Sequence, residues 1–344
     1  MTMAILRFNF AAPHDDPAAR HDRMKAAMEL SSWSETRGVS AVSFDEHHQS
    51  GHGWSCNPIM TAAVLLSRTE RVLASVDCTL GPLWHPVRLA EDIAMADTIG
   101  GGRLIVTIGM GYRTVEYELF GTPFDERGRL MDDLLDRLMS LWSSPDFTPG
   151  PLTRPHPTVF VGGSVRATAR RAARHGLPLN LPSHLPEIAD YYRELCAEAG
   201  HTPIVVMAPP RSRGMVFLHE DPDRAWAELG EHYLWEARVY SGWSEGQVHS
   251  FMHGTETPES LRTVDDVRAA GRYRFMSPEQ LIADVKENPH DHVVLHPLVG
   301  AMPIDEAWKS VQLLTDEVLP ITGIQPAAPP HTTFCVVRRL SNRV

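Results

Sequence analysis

The residues of this chain best suited to chemistry fall in clusters that each follow a short apolar run. Asp45-Glu46-His47-His48, with His52 close behind, brings carboxylates and imidazoles together. A histidine that titrates near neutrality serves as a general acid or base. The alternative, a histidine satisfied in a polar loop, applies more strongly to His48 and His52 than to His47. A metal ion would recruit ligands from several strand ends, and the later ones supply few carboxylates beyond Asp77 and Asp291, so no metal is expected. Further along, Trp84-His85 closes a GPLWHP turn, and Gly109-Met110-Gly111-Tyr112 and Gly162-Gly163-Ser164 follow. Glycines let backbone approach a ligand closely and take positive φ. Gly162-Gly163-Ser164 opens a predicted helix whose unpaired amides suit an anion such as a phosphate, with the Ser164 and Thr168 hydroxyls adding hydrogen bonds. A plain strand-to-helix turn with a serine N-cap fits the same residues.

The elements that must position these clusters alternate regularly. Strands are predicted at Ile5–Phe10, Val39–Phe44, Val72–Thr79, Leu104–Ile108, Thr158–Val161, Met215–Leu218 and His292–Leu295. Helices are predicted at Pro17–Arg37, Pro58–Ser67, Pro86–Ile99, Arg127–Trp142, Val165–His175, Glu187–Ala199, Pro222–Arg238 and Ile304–Leu319. Pro17, Pro58 and Pro86 sit where a first helical turn tolerates the amide that proline lacks. Strand then helix in short repeats means parallel strands joined by right-handed crossovers, hence a doubly wound sheet or a closed barrel. A count of about eight units favours a single (β/α)8 TIM barrel, in which the strand C-termini and following loops carry the active site. The pattern fails in 240–275, rich in Gly, Ser, Thr and His, which reads as an insertion or lid within a domain of residues 1–320. Residues 321–344 read as a loosely held C-terminal extension.

Composition narrows the partners. The 344 residues carry 43 acidic and 32 basic side chains, a net charge of −11, which argues against a nucleic-acid or anionic-membrane binder and for small molecules or proteins. At 43% hydrophobic and 22% charged the chain can bury a large core. Cys56, Cys78, Cys196 and Cys335 form no CxxC pair, so neither a zinc module nor a disulfide framework is expected, and reduced thiols in a cytoplasmic protein fit best. No apolar run approaches the roughly 18 residues of a membrane span. The 18 histidines are a surplus that His47 heads and His85 and His48 follow.

Taken in order and spacing, Ser43-Phe44-Asp45-Glu46-His47-His48, Asn57-Pro58, Arg68-Thr69-Glu70-Arg71-Val72, His85-Pro86-Val87-Arg88-Leu89-Ala90-Glu91-Asp92, Gly101-Gly102-Arg103-Leu104 and Phe120-Gly121 resemble the bacterial luciferase-like flavin-dependent monooxygenases. The resemblance runs from Glu46 to Leu135, resumes at Val159–Pro178 and weakens beyond. It implies a TIM barrel that binds reduced FMN from a separate flavin reductase and uses O2, through a flavin peroxide, to oxygenate a small organic substrate. His47 then corresponds to the catalytic histidine beside the flavin ring. Asp77 and Cys78 occupy the place of a non-proline cis peptide against that ring, and Gly109 stands where luciferase has a cysteine. Gly163, Ser164, Val165 and Thr168 fall on the phosphate loop. Met110 and Tyr112, with Trp84, are suitable apolar walls for a dry cofactor pocket, and Glu46, Trp84 and His85 fall to the substrate side.

Two departures from the family pattern stand out. Met110 replaces an arginine near the phosphate, so its charge-assisted contact must come from elsewhere, with Arg166 and Arg113 as candidates, and Gly100 replaces a serine. The missing arginine leaves room for the deazaflavin coenzyme of a sister branch that transfers hydride, although Glu46-His47-His48 is more typical of the flavin branch. A third alternative is a non-catalytic partner subunit of a luciferase-like heterodimer, which need keep neither His47 nor the glycine-rich loop. The resemblance also implies a homodimer.

Overall fold

The computed structural model describes residues 2–243, 257 and 259–325. Its strands are β1 (Ala4–Phe8), β2 (Ala41–Phe44), β3 (Leu73–Leu80), β4 (Leu104–Gly109), β5 (Thr158–Gly162), β6 (Leu179–Leu181), β7 (Val205–Met207), β8 (Met215–Leu218), β9 (Tyr273–Met276) and β10 (Val293–Leu295). The helices are α1 (Pro17–Ser34), α2 (Pro58–Ser67), α3 (Pro86–Ile99), α4 (Thr114–Leu119), α5 (Arg127–Ser143), α6 (Arg166–His175), α7 (Pro186–Ala199), α8 (Pro222–Trp243), α9 (Val264–Ala270), α10 (Pro278–Glu287), α11 (Ile304–Leu313) and α12 (Leu319–Thr322). The strands form one sheet in the order β7-β6-β5-β4-β3-β2-β1-β10-β8-β9. Pairing is parallel from β3 through β7, and parallel again between β1 and β10, β10 and β8, and β8 and β9. This is the α/β class expected, with ten strands in place of about eight.

The additional strands are β6, β7 and β9. The first two are only three residues long, too short to show a hydrophobic period. The third falls in the segment read as an insertion: α8 runs on to Trp243, and α9 and β9 occupy its far end. Residues 244–256 and 258 of that segment, and the extension after residue 325, lie outside the described residues. Helix starts follow the prolines. Pro17, Pro58 and Pro86 all open helices, and Asp16 and Asn57 accept hydrogen bonds from first-turn amides of α1 and α2.

By contacts the chain divides into two compact units. One takes the described residues of Met1–Ser43, Ser50–Ser55 and Pro209–Ala327. Its core gathers Met215 and Phe217 of β8, Trp226, Leu229 and Tyr233 of α8, and Tyr273 and Phe275 of β9. Arg213, 2% exposed, fastens its loops through Asp284 and the Asp291 and Asn288 carbonyls.

The other unit takes Phe44–Gln49 and Cys56–Ala208. Along β4, Leu104, Val106 and Ile108 are buried, as are the apolar faces of α3 and α5 (Leu89, Ile93, Leu134, Leu138). Strand alternation then turns Thr107 and Gly109 to the opposite face, Thr107 beside Asp77 of β3 and Gly109 beside Cys78. Arg103, from the Gly-Gly-Arg motif, is buried and donates to the carbonyls of Leu66, Thr69 and Val72 and to Thr69 Oγ1. It ties the end of α2 to the start of β4, so this motif is structural.

Candidate functional site

The site lies in the unit that holds β3 to β7 and starts where β2 ends. Asp45, Glu46 and His47 are all buried there. His47 Nδ1 lies 3.0 Å from Glu116 Oε1, which also accepts from the His48 amide at 3.0 Å and Arg113 Nη1 at 2.9 Å. Arg113 Nη1 donates to the His48 carbonyl at 2.7 Å as well. Glu116 is fully buried in α4, three residues past Arg113. Burial alone would raise its carboxyl, but the hydrogen bond and charge of His47, the His48 amide and Arg113 together outweigh that and hold it below the ordinary glutamate range. Ionised, it can only accept, so His47 donates through Nδ1 and keeps Nε2 for other partners. Glu116 Oε2 is buried without a hydrogen-bond partner among the described residues.

Glu46, placed on the substrate side by the sequence, is taken up by its own chain. Its Oε1 accepts from His48 Nε2 at 2.8 Å, and its Oε2 accepts from the Leu80 amide at 3.0 Å and from the Thr79 hydroxyl. The Trp84 indole donates to both oxygens, at 3.2 and 3.3 Å. Buried and accepting from four groups, Glu46 is a pin that joins the end of β2 to the end of β3. Trp84 is thereby fixed by its indole, and His85 is an exposed residue at the start of α3.

The peptide between Asp77 and Cys78 is cis, at the place the resemblance implied. The β3–β4 register shifts at the same point. Asp77 Oδ1 accepts from Thr107 Oγ1 at 2.9 Å, and Oδ2 from Ser75 Oγ at 2.6 Å. Burial, aided by Glu46, Asp77, Asp45 and Glu116, pushes the Cys78 thiol up to about 12. It therefore stays protonated near neutral pH and cannot act as a thiolate. A Cβ on Gly109 would stand 2.6 Å from Cys78 Sγ, so the sulfur fills the space that a side chain at 109 would need. Tyr112 meets His47 edge-on, with ring centroids 5.9 Å apart, and burial raises its phenol.

At β5 the chain passes through Gly162 and Gly163 to α6. Gly163 has φ +147°, and a Cβ there would lie 2.7 Å from Thr168 Oγ1. The N-cap of α6 is Val165, not Ser164, and no side chain caps it. No side chain thus caps the amides of Arg166 and Ala167, whereas the Thr168 amide donates to the Val165 carbonyl at 2.9 Å, and no acidic residue stands in that turn. Of the cations proposed to stand in for the missing arginine, Arg113 is committed to Glu116 and His48, and Arg166 lies over the Tyr191 ring at 4.7 Å. The guanidinium beside Met110 is that of Arg171, 3.9 Å from Met110 Sδ and paired with Asp132 at 2.7 Å. The uncapped amides, Thr168 and the side-chain-free glycines fit a phosphate-bearing cofactor at this end of the unit.

Sequence reasoning missed Glu116, Arg171 and Asn180, whose Nδ2 donates to Thr107 Oγ1 at 3.0 Å. Glu116 sits in a six-residue helix without a long apolar period, and its only signal was an Arg–Glu pair at i, i+3.

Among the described residues no group of three His, Cys, Asp or Glu is placed to hold a metal ion, and no helix is long and apolar enough to cross a membrane.

Comparison with known proteins places these features in a family context. The family model for luciferase-like monooxygenases matches residues 1–288. The chain is 28% identical over 174 residues to the oxygenase component of a flavin-dependent trigonelline monooxygenase of Acinetobacter baylyi, covering 46% of this chain and 48% of that protein. It is 29% identical over 158 residues to an FMNH2-dependent dimethylsulfone monooxygenase of Pseudomonas putida, covering 41% of each. The matches thus span less than half the length of either relative. In fold, it resembles the crystal structure of a monooxygenase from Streptomyces bottropensis with a TM-score of 0.75, at 23% identity over 93% of this chain and 99% of that one.

Proposed function

This chain belongs to the luciferase-like monooxygenase family, and from that premise we propose that it is a flavin-dependent monooxygenase that uses reduced FMN and O2 to oxygenate a small organic substrate. A separate flavin reductase would supply the reduced cofactor, and the working form would be a homodimer. The observation that carries this reading is the buried His47–Glu116 pair in the same unit as the uncapped, glycine-led start of α6.

When bound, reduced flavin supplies the electrons that O2 requires. The chain supplies the rest. Gly163, Ser164, Val165 and Thr168 would hold the phosphate through amides and hydroxyls, and Asp77, Cys78, Gly109, Met110 and Tyr112 would border the ring. His47, with Nδ1 fixed on the Glu116 carboxylate, presents Nε2 to accept or return a proton in one orientation. His47, the His48 amide and Arg113 keep Glu116 ionised, and the half-buried Tyr112 helps to exclude water. Cys78, held as a neutral thiol, contributes packing and no nucleophile.

Anaerobic titration with reduced FMN and, separately, with reduced deazaflavin tests this. We expect reduced FMN to bind and deazaflavin not to. The converse would replace monooxygenation with hydride transfer, and binding of neither would revive the non-catalytic subunit. His47→Ala should retain FMN binding while product formation falls by about 10² to 10⁴, and normal turnover by that variant would remove His47 from the mechanism.

A further inference from the structure

Gly162 and Gly163 read in the sequence as one phosphate-loop pair, but the structure separates them. Only Gly163 has a backbone conformation that demands glycine, since Gly162 is absent from the positive-φ residues. What Gly162 lacks room for is a side chain: a Cβ there would stand 2.6 Å from Thr107 Cγ2, on the strand face that carries Asp77 and away from the α6 amides.

Beside that gap runs a hydrogen-bonded strap that links β6, β4 and β3 across β5. Asn180 of β6, in register with Gly162, extends over β5 and donates Nδ2–H to Thr107 Oγ1 of β4 at 3.0 Å. Thr107, in register with Asp77, donates its single hydroxyl proton to Asp77 Oδ1 at 2.9 Å. Asn180 Nδ2 also lies 3.5 Å from that oxygen, and Ser75 Oγ donates to Oδ2 at 2.6 Å. The strap ends on Asp77, the residue before Cys78.

We propose that Gly162 is a positioning residue for the ring end of the flavin, not its phosphate end: its missing side chain lets Asn180 and Thr107 hold Asp77 and thereby orient the Asp77–Cys78 peptide. This rests on the flavin reading above. A methyl at 162 forces Thr107 to rotate about χ1, which is stiff in a β-branched residue, and swings Oγ1 away from both partners. The defect then travels along the strap to Asp77, while the amides of α6 stay where they are.

The test compares FMN with riboflavin, which has the same ring and no phosphate, by fluorescence titration of the full chain. Gly162→Ala should weaken both by the same factor, on the order of tenfold, and move the visible absorption band of the bound flavin toward its free position. Adding Thr107→Ser, which removes the colliding methyl and keeps the hydroxyl, should restore both affinities to within about threefold of wild type. Asn180→Ala adds no bulk and should also weaken both, which covers the case in which Gly162→Ala fails to fold. Weakened FMN binding with unchanged riboflavin binding in Gly162→Ala would overturn the proposal, as would Asn180→Ala at wild-type affinity for both. Wild-type protein that binds neither flavin in the oxidised state nor reduced FMN under anaerobic conditions would instead remove the cofactor reading on which the proposal rests, a result visible before any variant is made.

Discussion

Glu116 decides which nitrogen of His47 carries a proton. Its carboxyl, held below the ordinary value of 4.5 by His47, the His48 amide and Arg113 against the cost of burial, is ionised near neutral pH. A folded pKa below the unfolded one stabilises the protein above the unfolded value, and that contribution is lost as pH falls through the folded value. Wild type should therefore hold a stability advantage over Glu116→Gln above about pH 4.5 and lose it progressively below that. Urea midpoints at each pH give the measurement, and an advantage that kept growing well below about pH 4 would contradict the assignment. His47 itself was legible from its place after an apolar run, whereas Glu116 was not, because it reaches His47 across 69 residues of sequence. Glu46 shows the converse: its residue type suggested chemistry, and only its four donors reveal a pin.

At the scale of elements, α6 leaves its own amides uncapped. Val165 is the N-cap, 48% exposed and without a polar side chain, an expensive choice for a helix that has no ligand to serve. Val165→Asp should cap the helix and raise stability by about 1 kcal/mol, while its charge opposes a phosphate at the same amides. The expected result is a higher Tm, weaker FMN binding and unchanged riboflavin binding, read by thermal melts and the two titrations. Equal loss of both flavins would move the phosphate elsewhere. Helices that open on proline were legible because the missing amide costs nothing in a first turn. β6 and β7 were not, because strands of three residues draw on neighbours for their stability.

At the scale of the molecule, distant segments are joined by buried polar groups. Glu236 of α8, fully buried, accepts from Asn9 Nδ2 at 3.0 Å across 227 residues and from the Tyr273 hydroxyl at 3.1 Å. Glu236→Ala leaves both donors unsatisfied and should cost about 3 kcal/mol, measured by urea unfolding. A loss within about 0.5 kcal/mol would show that the network relaxes around the gap. The net charge of −11 is compatible with binding an anion because the amides of α6 are local and face no acidic side chain in their turn. Charge, the alternation of strand and helix, the helix starts and the order of motifs belong to the sequence alone, because each rests on residues near one another along the chain. Pairing of His47 with Glu116, the Gly109 space filled by Cys78, and the strap that needs Gly162 bare were decided by tertiary structure. Each depends on which side chains from separate strands meet within a few ångströms, and no local pattern carries that distance.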